Sequence, residues 1–173
     1  MNIQELVLRF QSNPNWIVHP PRGLPQLSSD PRAPNARIPD EVLRFYELCG
    51  GLKSVPRPES DVAFEIVSPD SFRWAIAAIV GRYSEQEYIA FRNNRAWYWY
   101  ILGYSLTDEY FMIDLAPERY GRCYYVYFYF FGQPGGAPIV GLSFEDLLER
   151  FYKAVEEDDP MYWEHEKLGD AYD

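Results

Sequence analysis

Histidine and cysteine are scarce in this chain: His19 and His165, Cys49 and Cys123 are all that its 173 residues contain. That scarcity excludes a multi-histidine metal site, and the two cysteines lie too far apart for a Cys-x-x-Cys zinc site. His165-Glu166 begins like a zinc-protease helix, but residue 169 is glycine where the second histidine belongs. Nothing marks a secreted disulfide scaffold. Cys49, in the last turn of an apolar helix, reads as a small buried hydrophobe. Long apolar runs are missing too; none approaches the ~18 residues of a membrane span. Residues 3–10 include Glu5 and Arg9 and lack the charged start, apolar centre and small-residue cleavage site of a signal peptide. The expectation is a soluble, cytoplasmic protein without metal or cofactor. Cations are also few, 16 against 26 acids, for a net charge of -10. From Glu145 onward there are 11 acids and 3 bases, so nearly all the net charge sits at that end. Phosphate binding needs cations, so nucleic acid is an unsuitable partner, whereas a basic protein is attracted and steered.

What the chain does have is aromatic residues, 18% of the total, with 15 tyrosines. Large rings bury much area each, so a chain of this length can build one sizeable core. Residues 96–104 (AWYWYILGY), 109–115 (EYFMIDL) and 122–131 (RCYYVYFYFF) are aromatic and β-branched runs bounded by turn residues, the signature of strands. Residues 62–67 and 139–142 read as further short strands. In residues 122–131 both alternating faces are bulky. Either the strand is central and covered on both sides, or its tyrosine face is partly open as a binding surface. The segment GQPGGAP, residues 132–138, is a loop.

Helices are written by their ends. Residues 38–51, IPDEVLRFYELCGG, place Pro39 in the first turn, Asp40 and Glu41 at the positive end of the dipole, Gly50 where a left-handed residue ends the helix and Gly51 where the chain turns sharply. Ser143 is an N-cap with Glu145 and Asp146 behind it, followed by Phe144, Leu147, Leu148, Phe151, Tyr152 and Val155 at helical spacing. A third helix is predicted over residues 70–80, apolar almost all round. Residues 3–10 form a short amphipathic helix. Between them, residues 13–36 hold six prolines and read as an extended strap, with Trp16, Ile17, Val18 and Leu24 needing cover.

The order of these parts resembles the SUKH superfamily, the Smi/Knr-like group. The resemblance rests on a proline-started helix ending in Gly-Gly and a tryptophan-containing strand leading to Ile101-Leu102-Gly103. A strand ending Ile113-Asp114, a strand rich in Tyr and Val, and a short strand running into Ser143-Phe144-Glu145 and a last helix complete it. It covers residues 38–155. It implies a single α+β domain, mostly antiparallel; residues 37–155 are taken as that domain, while residues 1–36, helix and strap, and 156–173, an acidic tail, lie outside the resemblance and are read from composition alone. It further implies protein binding. Bacterial members resemble immunity proteins that neutralise toxins, often nucleases, and fungal members resemble regulators of cell-wall synthesis.

Catalytic patterns fail one by one. Gly141-Leu142-Ser143-Phe144-Glu145 starts like a nucleophile elbow, but Glu145 replaces the second glycine. The 132–136 turn lacks the lysine of a phosphate loop. Glu156-Glu157-Asp158-Asp159 lacks an EF-hand pattern. The reading is a non-catalytic binding protein, an immunity protein that occludes a basic toxin. The contacts chosen for it are Glu156, Glu157, Asp158 and Asp159 with Tyr162 and Trp163 beside them. The alternatives are a regulatory scaffold, or an enzyme or small-ligand binder with an aromatic pocket.

If Ser143 is a cap and not a nucleophile, Ser143→Ala should lower the unfolding free energy by about 1 kcal/mol. A hydrolase screen of the purified protein and of its Ser143, His19 and His165 variants should find no turnover that depends on any of the three. A turnover lost in one variant that still folds would revive the enzyme reading.

Overall fold

The computed structural model describes residues 2–80, 84–105, 109–159 and 162–173. Helix α1 (Ile3–Gln11) starts on a reciprocal cap: the Asn2 side chain accepts from the Glu5 N–H, and Glu5 accepts from the Asn2 N–H. Its inward face is Ile3, Leu6, Val7 and Phe10. Strand β1 (Trp16–Val18) follows, then the proline-rich segment, then α2 (Asp40–Leu48). The remaining strands are β2 (Leu52–Ser54), β3 (Glu65–Ile66), β4 (Arg73–Trp74), β5 (Trp99–Tyr104), β6 (Glu109–Asp114), β7 (Cys123–Tyr127) and β8 (Ile139–Gly141). Helix α3 (Glu85–Ala90) precedes β5, and α4 (Phe144–Glu157) and α5 (Tyr162–His165) close the chain.

Among the described residues the strands form one 8-stranded sheet in the order β1-β2-β3-β5-β6-β7-β8, with β4 also on β5. Every pairing is antiparallel. Strands β3 and β4 lie end to end along one edge of β5, opposite Tyr104 and Gly103 and opposite Ile101 and Tyr100 respectively. This is the α+β class expected, and one continuous cluster from Ile3 to Ala171 forms its core. No helix among the described residues is long and apolar enough to cross a membrane.

On one sheet face, Phe111 and Phe64 meet Phe151 of α4 and Trp163 of α5, with Phe64 and Phe151 stacked at 4.9 Å. On the other, Trp99 meets Tyr124, Phe131 and Tyr172. Between these last rings lies Asp114, fully buried. Its carboxylate accepts from Trp99 Nε1 at 3.0 Å, the Ala116 N–H at 2.9 Å, Arg119 Nε at 2.8 Å and the Tyr124 hydroxyl at 3.1 Å. Burial pushes this carboxyl above its ordinary range, while the Ala116 N–H, Arg119 and Trp99 pull it back. The Tyr124 phenol is pushed well up by burial and the adjacent carboxylate, so it stays protonated and donates.

A second carboxylate ties the helices. Glu41 of α2 accepts from the Phe144 and Glu145 N–H groups at 2.8 and 3.2 Å, while Ser143 Oγ accepts from Asp146 N–H at 3.1 Å. Glu145 in turn accepts from the Ile3 N–H of α1 at 3.2 Å. The orphan donors of one helix are thus met by carboxylates of another.

The structure departs from the sequence expectations in four places. Residues 70–80 are not an α-helix: a 3₁₀ turn (Pro69–Ser71) leads into β4, and a π-helical turn (Ile76–Val80) follows. Trp74 Nε1 donates to the Trp97 carbonyl, and pairing with β5 wins over the helix that an all-round apolar segment suggests. The strand over residues 62–67 shrinks to Glu65–Ile66. The strand from 122 ends at Tyr127, where a 3₁₀ turn (Phe128–Phe130) takes over. The end of α2 is also different. Gly51, not Gly50, has positive φ (115°), and a Cβ on Gly50 would sit 2.3 Å from the Pro20 carbonyl oxygen. Gly50 is small because the strap docks there, with the Gly50 N–H on the His19 carbonyl and the His19 N–H on the Gly51 carbonyl.

Removing the Asp114 carboxylate leaves the Arg119 guanidinium with Glu118 alone and strips the Trp99 Nε1, Ala116 N–H and Tyr124 hydroxyl donors of their buried acceptor. Asp114→Ala should cost about 3–5 kcal/mol in chemical denaturation, the usual loss when one side of a buried pair is deleted. Glu41→Ala should cost about 1 kcal/mol, as for a lost helix cap. Equal and negligible losses would show that neither carboxylate organises the fold.

Candidate protein-binding surface

The four carboxylates singled out from the sequence do different work. Glu156 is exposed on the last turn of α4, and its Oε1 accepts from Asn13 Nδ2 at 2.9 Å and Asn15 Nδ2 at 3.1 Å. Those bonds, largest first from Asn13, hold its carboxyl below the usual range. Glu157 is exposed. Asp158 ends the helix in the left-handed region (φ 52°) and accepts from Arg57 at 2.9 Å and from the Ser60 hydroxyl. Arg57 also donates to the Val155 carbonyl. Asp159 lies 3.1 Å from His165 Nδ1. So Glu156 and Asp158 bind the helix end to the 13–15 and 57–60 loops, and Glu157 carries the least structural duty of the four.

Tyr162 and Trp163 do not stand beside these carboxylates at the surface. They are 6% and 4% exposed, and Trp163 packs on Phe64, Phe111 and Phe151. The same sequence run that put acids on α4 put α5 against the sheet, because Phe111 and Phe64 need cover there.

The exposed aromatics are elsewhere. Beyond β7 the chain leaves the sheet, and the 3₁₀ turn breaks the alternation of sides. Tyr127, Tyr129 and Phe130 are 43%, 70% and 53% exposed, while Phe131 turns inward and stacks on Phe91 at 5.7 Å. The turn is held from several directions. Gln133 Nε2 donates to the Tyr129 carbonyl, Asn94 Nδ2 donates to the Gly132 carbonyl, and Asp170 accepts from the Gly135 and Ala137 N–H groups. Tyr172 donates to Asn94 Oδ1 at 2.7 Å, and Arg95 donates to the Ala171 and Asp173 carbonyls. Rings shown on a fixed turn lose little entropy when covered, the property of interface anchors. The sequence carried a signal for this patch, a bulky run on both faces stopped by a Gly/Pro loop. It did not show where the strand would end.

Chemistry is scarce around these features. No cluster of metal-ligating side chains occurs among the described residues. Both cysteines are buried, and burial pushes the Cys49 thiol up to about 11 and Cys123 well above its ordinary value, so neither is a ready nucleophile. Ser143 is a helix cap, as expected.

These placements give the tail carboxylates structural work. Replacing all four carboxylates should not leave stability untouched: Glu156→Ala and Asp158→Asn should each lower it by up to about 1 kcal/mol, the scale of exposed ion pairs. Glu157→Gln should not. Thermal unfolding of the three variants checks this, and identical midpoints would show the loop contacts to be dispensable.

Over 176 aligned residues, 100% of this chain and 97% of the relative, the sequence is 30% identical to immunity protein YokJ of Bacillus subtilis (strain 168). No protein-family model and no solved structure matches. The chain belongs to the family of immunity protein YokJ.

Proposed function

We propose that this protein is an immunity protein that binds a toxin one-to-one and covers its working surface without chemistry. The whole-length relationship to an immunity protein carries the reading. The rigid, exposed aromatic turn and a net charge of -10 support it, because together they suit a basic protein partner. A nuclease fits that description, since a groove that holds phosphates is itself basic. Glu157 and its neighbours Glu156, Asp158 and Asp159 would steer such a partner, while Tyr162 and Trp163 support the surface from below. We further propose that residues 37–155 are the SUKH-like unit, with 1–36 and 156–173 as additions to its core, and that the protein works in the cytoplasm.

The test is co-expression with a toxin domain encoded beside its gene. Growth should recover, and toxin activity in vitro should fall in proportion to added protein, reaching zero at equimolar amounts. Protection by substoichiometric protein, with the toxin left chemically altered, would contradict occlusion and indicate an enzyme.

A further inference from the structure

A pocket of about 310 Å³ opens beside the aromatic turn, between the π-helical turn, α3 with its following 3₁₀ turn (Phe91–Asn93), and residues 128–133. Ile79, Phe91, Phe128, Tyr129 and Phe131 form most of its wall. Among its described lining residues Glu87 carries the sole charge. That carboxylate is fixed: Glu87 Oε2 accepts from the Ser84 N–H and hydroxyl, both at 2.8 Å, in the cap of α3. Its Oε1 takes no hydrogen bond among the described residues. Aromatic walls with one oriented carboxylate are the arrangement that holds a cation against ring faces. A planar guanidinium suits it better than an ammonium, because it stacks on rings and is weakly hydrated. Arg92 lies exposed on the adjoining turn and does not line the pocket.

We propose that this pocket receives an arginine side chain of a basic protein partner, with Tyr129 and Phe130 covering the contact around it. The choice of a basic protein follows from charge. A second copy of this chain, or an anionic membrane, meets a body of net charge -10 and is repelled. The identity of the partner as a toxin rests on the immunity reading; the chemistry of the pocket does not.

Two measurements separate the claims. In the first, N-acetyl-arginine amide and its neutral counterpart N-acetyl-citrulline amide are titrated into the full-length protein and followed by NMR. Arginine should give saturable shifts at Ile79 and Gln133, weakened severalfold by Glu87→Gln and by Tyr129→Ala, and citrulline should not. Absence of shifts, equal shifts from citrulline, or signals that track self-association would overturn the pocket assignment. In the second, the toxin domain relieved in the growth test is titrated with wild type, Tyr129→Ala and Phe130→Ala, each shown folded by circular dichroism. The variants should bind about tenfold more weakly or worse. Unchanged affinity would overturn the proposal while leaving the immunity role standing. Arginine binding with no toxin relieved would do the reverse.

Discussion

Asp114 is the constraint on which the sheet depends. A carboxylate with no solvent exposure is costly unless its lone pairs are filled, and four groups from separate pieces of chain fill them. Trp99 comes from β5, Tyr124 from β7, and Ala116 and Arg119 from the turn between β6 and β7. Satisfying them together fixes the register of the three central strands. Among the described residues the β6–β7 pairing, with Met112 opposite Tyr124, reaches Glu109 opposite Tyr127. The next residues leave the sheet as a 3₁₀ turn, and Tyr129 and Phe130 are exposed there. A register shift of one residue would invert the faces and bury a different set of rings.

The same device recurs with other acids. Glu41 caps α4, Glu145 meets the start of α1, Asp146 accepts from the Leu142 N–H, and Asp170 holds the 135–137 backbone. Much of an acidic composition is therefore used on the protein's own N–H groups, where negative charge also complements helix dipoles. Of the four acids at 156–159, Glu157 is exposed and takes no hydrogen bond among the described residues. Counting acids in a sequence overstates the charge available for recognition, because structural carboxylates cannot rearrange around a ligand.

Much of the fold was legible because it rests on local rules. Ser143 capped a helix whose apolar positions followed at helical spacing, and the aromatic runs at 99–104 and 109–114 became adjacent strands. Residues 70–80 misled because Phe72, Trp74, Ala75, Ile76, Ala78 and Ile79 leave almost no polar side, as in a deeply buried helix, whereas the free edge of β5 offered Arg73–Trp74 backbone partners that no local pattern announces. Gly50-Gly51 was readable as an ending, but the strap's approach to Gly50 is a contact between segments some thirty residues apart in order of magnitude. The candidate surface was less legible still. Acids at 156–159 were visible as charge, yet their loop partners Asn13, Asn15, Arg57 and Ser60 are distant in sequence. Tyr162 and Trp163 looked like anchors because burial depends on Phe64 and Phe111, which sequence order does not place beneath them.

If a partner sits on the aromatic turn and the pocket beside it, that surface must lose exchange with solvent on binding. Hydrogen–deuterium exchange of the protein alone and mixed with the toxin domain used in the growth test gives the most direct check. Added protection is expected in residues 127–133 and 84–93, with the strands around Asp114 already slow in both states. Protection confined to other surfaces, with 127–133 exchanging as in the free protein, would contradict it.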